Sequence, residues 1–309
     1  ATTYPAFAGT VRLVKRWLAA HWLLRSHVTE EAVELLCAHA FVGSGRAKAG
    51  QSDESVPASK ERGFARVVAF LKDWDWANGV FVPIYEDKDV GAGQEGSRVV
   101  VTAGSKAVWT VATDFDKEGH MWTAEGPDNV VANRVKSLAQ ATWNVLQQGA
   151  ESGSLDVKAL FVHPVDDYDF VVQLDVSALP RYTQNILADP VVWARKGKYA
   201  NLQRQSAALA APVPRSGFDP AQMFWDDIKR VHADTLKIFY DPIGGDRFGA
   251  IWDPSLKQPR PFRVMNHFSS IPVTKDIEKT KDKDKALVVL NESAVLSEII
   301  RLGSGIVKA

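Results

Sequence analysis

The chain has 309 residues, with 37 Lys plus Arg balanced by 37 Asp plus Glu, so no global field draws in a polyanion and any nucleic-acid contact must come from local patches. Apolar residues make up 46% and charged residues 24%, and no run approaches the roughly 18 uninterrupted apolar residues of a membrane span. A single cysteine, Cys37, excludes an internal disulfide framework, argues against a cysteine-built zinc site and fits a reducing, intracellular compartment.

The sequence opens at Ala1 in mid-pattern without an initiator Met, which suggests a segment of a longer protein, and its length suggests two domains. The stretch "TVRLVKRWLAAHWLL" over 10–24 places Val11, Val14, Trp17, Leu18 and Leu24 on one helical face, with Arg12, Lys15 and Arg16 opposite. A second helix is signalled by Thr29 as N-cap, Glu30 and Glu31 in the first turn, and Val33, Leu36, Cys37 and Ala40 at helical spacing, with Gly43 as its stop. Residues 44–63 form a polar loop, and a third helix carries Phe64, Val67, Val68 and Leu71 up to Trp74 and Trp76. An extended piece at 80–85 and a loose loop at 86–98 follow. Pro127 and Asp128 then introduce a long helix with Val131, Val135, Leu138, Thr142 and Val145 inward and Gly149 as its C-terminal stop.

Around 150–157 the apolar period changes from 3.6 to 2. Phe170, Val172, Leu174 and Val176 alternate as in a half-buried strand. Asp219 and Pro220 open a helix that buries Phe224, Ile228 and Val231, and 235–254 reads as two strands around a Gly-Gly turn. A strand near 261–266, a charged linker at 274–285, a strand at 286–290 and a helix from Asn291 to Leu302 complete the pattern. Helices first and antiparallel strands later imply an all-α domain over 1–150 and an α+β domain with an antiparallel sheet over 151–309.

"VRLVKRWLAAHWLL", "TEEAVELLCAHAFV" and "GFARVVAFLKDWDW" together resemble the helical substrate-binding domain that follows the catalytic head in poly(A) polymerases and oligoadenylate synthetases. With "ATDFDKEGHMWT", "RKGKYANL", "FDPAQMFWDDI", "IFYDPIGGDRFGAIWDP" and "LGSGIVKA", the chain more closely resembles the C-terminal part of the Nrap family, nucleolar RNA-associated proteins of the small-subunit processome. That resemblance implies a large scaffold of tandem, degenerate nucleotidyltransferase and helical-domain pairs, arranged like a class I CCA-adding enzyme dimer. Residues 1–150 would be its second helical domain and 151–309 a ferredoxin-like terminal domain. It further implies a non-catalytic nucleolar factor of small-subunit rRNA processing, with neither cofactor nor metal. Its implied partners are pre-ribosomal RNA, processome proteins, an assembly factor with an RNA-recognition-motif-like fold, casein kinase II in fungi, and the rest of its own longer chain. The alternative is the substrate-binding part of an active RNA nucleotidyltransferase whose catalytic head lies outside this chain.

An enzymatic reading would stand on Gly104-Ser105 followed by Asp114 and Asp116, because polymerase-β-type transferases pair such a Gly-Ser with carboxylates that hold two magnesium ions. A catalytic head should precede the helical domain, whereas this pair lies inside it, and Lys117 stands where the motif prefers an apolar residue. "GAGQEG" at 91–96 matches a dinucleotide string but lacks the strand before and the helix after it that phosphate binding needs. His21 on the apolar face reads as a hydrogen-bonded core histidine, and Cys37 as a small hydrophobe. Two basic patches are candidates for RNA or partner contact. Arg12, Lys15 and Arg16 form the first, for which a solvated helix flank is the alternative. Arg195, Lys196, Lys198 and Arg204 with Tyr199 form the second, suited to stacking and phosphate contact unless Tyr199 and Leu202 anchor a surface helix.

Overall fold

The computed structural model describes residues 4–42, 56–84, 107–119, 121–124, 126–179, 219–264, 267–273 and 287–308. They belong to two compact units, Ala1–His163 and Pro164–Ala309. The division therefore falls beyond 150/151. Residues 151–163 stay with the first unit, where Leu160 is buried and its carbonyl is hydrogen-bonded to His21.

In the first unit, helix α1 (Phe7–Ala20) buries Thr10, Val14, Trp17 and Leu18, the i, i+4, i+7, i+8 stripe of an amphipathic helix. It stops at Ala20, short of the expected Leu24, because the chain turns through left-handed backbone at Trp22 (φ 60°) and Arg25 (φ 65°). Leu23, Leu24 and Val28 are buried within that reversal. Helix α2 (Glu30–Val42) is capped as anticipated, the Ala32 N–H donating to Thr29 Oγ1 at 3.2 Å; Gly43 lies outside the described residues.

Helix α3 (Lys60–Asp73) starts inside the stretch expected to be loop, because Ser59 accepts from the Arg62 N–H and caps it. Its Gly63 lies against Thr10 of α1: a Cβ there would stand 2.1 Å from the threonine hydroxyl. That hydroxyl donates to Ala6 O at 3.0 Å and to Lys60 O at 3.3 Å, so the crossing of the two helices is both close and hydrogen-bonded. Helix α4 (Asn129–Ser152) is capped by Asp128 and buries Val131, Ala132, Val135, Ala139 and Thr142. Gly149 does not end it; a Cβ there would meet Leu155 at 2.7 Å, and the left-handed stop is Gly153 instead (φ 69°).

The first unit is not all-α. Strands β1 (Val80–Val82) and β2 (Val111–Thr113) pair in parallel, with Val82, Val111 and Ala112 buried. Three residues of "VAT" are too short to show a period, and their partner is distant in sequence, so composition alone read this stretch as helical domain.

In the second unit, strand β3 (Phe170–Gln173) and strands β4 (Leu236–Tyr240) and β5 (Arg247–Trp252) form an antiparallel sheet in the order β3-β5-β4. Beyond β3, Leu174 bridges Val307 in antiparallel sense, with Lys308 N–H donating to Gln173 O at 2.9 Å and Asp175 N–H to Ile306 O at 2.6 Å. Helices α5 (Pro220–Val231) and α6 (Glu292–Leu302) share one core with this sheet, through Phe224, Trp225, Ile228, Val295 and Ile299 against Ile238, Tyr240, Phe248 and Trp252. Val231, expected inward, is 52% exposed: it is the last helical residue, and the C-cap His232 turns inward in its place. Tyr168 lies over Gly249 on the sheet's other side, where a Cβ would stand 2.4 Å from its ring.

The strand expected at 261–266 is shorter. Strand β6 (Arg260–Pro261) joins β7 (Ser270–Pro272) and β8 (Leu287–Leu290) in a second antiparallel sheet ordered β6-β8-β7.

Candidate nucleic-acid or partner interface

The basic flank of α1 divides on inspection. Lys15 Nζ reaches Glu30 Oε2 at 2.8 Å and also bonds Glu34, while Arg25 pairs with Glu30 from the reversal. Burial pulls the Lys15 ammonium down, but the hydrogen bonds from Glu30 and Glu34 outweigh it and hold its pKa above the usual lysine value. Glu30 is held below the usual carboxylate range by the hydrogen bonds from Lys15 and Arg25. Lys15 thus ties α1 to α2. Arg12 and Arg16 stay exposed, Arg12 with its Nε donating to Ala8 O at 3.2 Å. Thr29 as N-cap puts Glu30 and Glu34 one turn apart on one face of α2. The sequence carries that spacing, but nothing in it says that Lys15 faces them.

Arg195, Lys196, Lys198, Tyr199 and Arg204 lie outside the described residues, as do Gly104, Ser105 and the 91–96 glycines. The carboxylates of the enzymatic reading are bonded to backbone. Asp116 accepts from Gly119 N–H at 3.0 Å and Met121 N–H at 2.7 Å, and Asp114 accepts from Ile84 N–H at 2.7 Å. Asp116 thereby stabilises its own turn, whereas Asp114 reaches the segment that follows β1. Among the described residues, no group of three or more His, Cys, Asp or Glu side chains could hold a metal ion, and no helix is long and apolar enough to cross a membrane.

His21 is buried, its Nε2 3.1 Å from Leu160 O and its Nδ1 3.4 Å from Nδ1 of His163. The His163 ring packs on Trp22 with centroids 4.1 Å apart, a neighbour too distant along the chain for any local pattern to reveal. Burial lowers the His21 pKa, so the neutral ring is favoured. Cys37 is fully buried, and burial pushes its thiol up to about 12, which removes it as a nucleophile at neutral pH.

A helical unit with a small parallel sheet is followed by an antiparallel α+β unit, and among the described residues Asp114 and Asp116 are bonded to backbone N–H groups. The family is then specific. Residues 4–163 match the Nrap protein PAP/OAS1-like domain 5 and residues 165–309 match Nrap protein domain 6, so the chain belongs to the Nrap family. It is 29% identical to Nucleolar protein 6 of Xenopus tropicalis over 309 residues, covering 98% of this chain and 25% of the relative. Against Nucleolar protein 6 of Mus musculus the identity is 29%, covering 99% of the chain and 25% of the relative. Against U3 small nucleolar RNA-associated protein 22 of Schizosaccharomyces pombe it is 28%, covering 98% and 25%. The chain thus spans about a quarter of the length of the curated relatives it matches.

Proposed function

We propose that this chain is a non-catalytic scaffold module of a nucleolar ribosome-biogenesis factor acting in small-subunit rRNA processing, in contact with pre-ribosomal RNA and processome proteins. The names of its relatives support the nucleolar setting and the association with U3 small nucleolar RNA. The observation that carries the non-catalytic part is the state of Asp114 and Asp116, whose oxygens accept from Ile84, Gly119 and Met121 N–H groups. Two-metal phosphoryl transfer needs such oxygens on the cations. Magnesium-dependent incorporation of labelled nucleotide by the purified chain, abolished by Asp114→Asn with Asp116→Asn, would overturn the scaffold reading, whereas an intact Gly-Ser and three-carboxylate head upstream in the full-length protein would favour the runner-up, the substrate-binding part of an active transferase. The expected result is no incorporation with any triphosphate.

Within this reading Arg12 and Arg16, exposed on α1, are the contact residues of the first patch, and Lys15 holds the helix that presents them. The second patch is Arg195, Lys196, Lys198, Tyr199 and Arg204. An RNA-recognition-motif-like assembly factor and casein kinase II belong among the proposed partners of the whole protein. We further assign the second unit a ferredoxin-like arrangement. The split β3-α5-β4 crossover with β5 inserted between the two strands, then α6 and a last extended segment bridging to Leu174, supports it.

A further inference from the structure

Strands β1 and β2 run in parallel with Val82 opposite Thr113, so the chain leaves both strands at one end. There the Ile84 N–H donates to Asp114 Oδ2 at 2.7 Å, which sets the segment after β1 beside the turn after β2. That turn is closed by its own bonds. Thr113 N–H donates to Asp116 O at 2.8 Å, Asp116 N–H returns to Thr113 Oγ1 at 3.1 Å, and the Asp116 carboxylate takes the Gly119 and Met121 N–H groups. Gly119, in left-handed backbone at φ 69°, lies flush on β2: a Cβ there would stand 2.7 Å from Thr110 Cγ2 and 3.0 Å from Ala112 N. The buried Thr123 hydroxyl donates to Gly119 O at 2.9 Å. On a loop fastened at this many points, Phe115 is 76% and Met121 65% exposed, and Ile84 is 48% exposed across the Asp114 bond. Single apolar residues on a surface are ordinary, but three large ones on two tied segments mark a contact site. Side chains presented by a rigid loop also lose less conformational freedom when a partner covers them.

Charge decides what covers this loop. From residue 107 to 124 the sequence has Asp114, Asp116 and Glu118 against a single Lys117 and no Arg. Asp114 and Glu118 are exposed and Asp116 is half-buried. The bonds that Asp114 and Asp116 accept come from backbone N–H groups, which are neutral donors and leave the negative charge in place. Phe115 stands between these two carboxylates in the chain. Successive Cα atoms are about 3.8 Å apart and charges act over a Debye length of about 8 Å, so a surface that covers the Phe115 ring meets both of them whichever way the ring points. Phosphates are repelled in that setting, which makes Phe115 a poor platform for a base, whereas lysine and arginine side chains are drawn in.

We propose that the 114–121 loop docks a basic segment of another protein chain, whose apolar side chains cover Phe115, Met121 and Ile84 and whose Lys or Arg side chains meet Asp114 and Glu118. This surface goes beyond the scaffold reading and does not depend on either basic patch. The test uses the full chain and three probes: a synthetic peptide alternating Lys with Leu and Val, the same peptide with Glu in place of Lys, and oligouridylate. Fluorescence anisotropy is expected to give the basic peptide at least roughly tenfold tighter binding than the acidic one. Phe115→Ser with Met121→Ser, and separately Glu118→Lys, should each remove most of that advantage while leaving the melting temperature in place, since all three side chains are exposed. Glu61→Lys, which reverses an exposed carboxylate on α3, is expected to keep the advantage. Equal binding of the two peptides overturns the proposal, as does undiminished binding of the basic peptide by the double Ser variant. An equal loss in Glu61→Lys also overturns it, because the attraction would then be diffuse charge rather than this loop. So does oligouridylate held more tightly than either peptide and released by the double Ser variant, which would make the loop an RNA surface.

Discussion

Trp17 in the first unit and Trp225 in the second are both essentially fully buried, yet they are held in different ways. Trp17 donates its indole N–H to Thr142 Oγ1 at 3.2 Å, which fixes α1 on α4 at one register, and meets Phe64 edge to face. Trp225 has no hydrogen-bond partner for its indole N–H among the described residues; its ring stacks on Tyr240 at 3.9 Å, and Lys229 caps the far end by donating to the Tyr240 hydroxyl. At Trp17 a directional bond thus chooses between the many ways that smooth helices can slide, whereas Trp74 and Trp109 of the same unit, like Trp225, are buried in ring contacts without a hydrogen-bond partner for their indole N–H among the described residues. A sheet already fixes its register through the backbone ladder, so there stacking suffices.

The largest effect that tests this contrast is truncation. Trp17→Ala and Trp225→Ala should each cost about 3–5 kcal/mol, enough to unfold the unit concerned, measured by urea denaturation with fluorescence from the remaining tryptophans. Comparable tolerance of either change would deny that ring its place in the core. Next come the two close approaches, one for each unit. Gly63→Val forces α3 away from Thr10, and Gly249→Val must displace the Tyr168 ring; each should cost roughly 1–3 kcal/mol by overpacking. Thr10→Ala is expected to recover part of the Gly63→Val loss, since it removes the hydroxyl that the new side chain would strike.

Smaller and sharper is Trp→Phe. At position 17 it leaves Thr142 without its donor and should cost more than at 225, by roughly 1 kcal/mol beyond the shared loss of volume. Equal costs would erase the distinction between bonded and stacked rings.

Acid provides the next comparison. His21 and His39 in the first unit and His232 in the second all have pKa values lowered by burial from the ordinary 6.5. A histidine with a depressed folded pKa stabilises the native state above its unfolded pKa. That contribution fades as pH drops below about 6.5, where the unfolded chain takes up the proton first. Each such group contributes at most about 1.4 kcal/mol per pH unit, so melting of the first unit should fall more steeply between pH 6.5 and the folded pKa values. His21→Gln should flatten that slope. At the small end, Arg16→Ala is expected to stay within about 0.5 kcal/mol, because its side chain is exposed.

What the sequence made legible follows from the range of each interaction. Caps and amphipathic stripes are local, so Thr29, Asp128, Asp219 and Asn291 marked helix starts that the structure bears out. Trp17 inward was readable from its neighbours Val14 and Leu18. Features that depend on a distant partner were not. Strand β2 needs β1 beside it, Gly149 looked like a stop because Leu155 was out of view, and Lys15 looked like part of a binding flank because α2 could not be placed against it. The register of the second sheet escaped for the same reason, since β7 was not recognised as a strand.

The bridge between Leu174 and Val307 has a consequence for the order in which the second unit assembles. Strands β4 and β5 are joined by a short connection and can pair within microseconds of collapse, whereas β3 and the 306–308 segment must close long loops before any ladder bond repays them. The central strand β5 is therefore ready as a template before β3 arrives on its free edge and the 306–308 segment on the far edge of β3. Pulse-labelled hydrogen exchange during refolding should protect the Phe239 and Gly249 amides, a hydrogen-bonded pair of the β4–β5 ladder, early and those of Asp175 and Lys308 last. Until that final pairing, the outer edge of β3 stays open, and it is there that crowded chains would be expected to associate wrongly during synthesis.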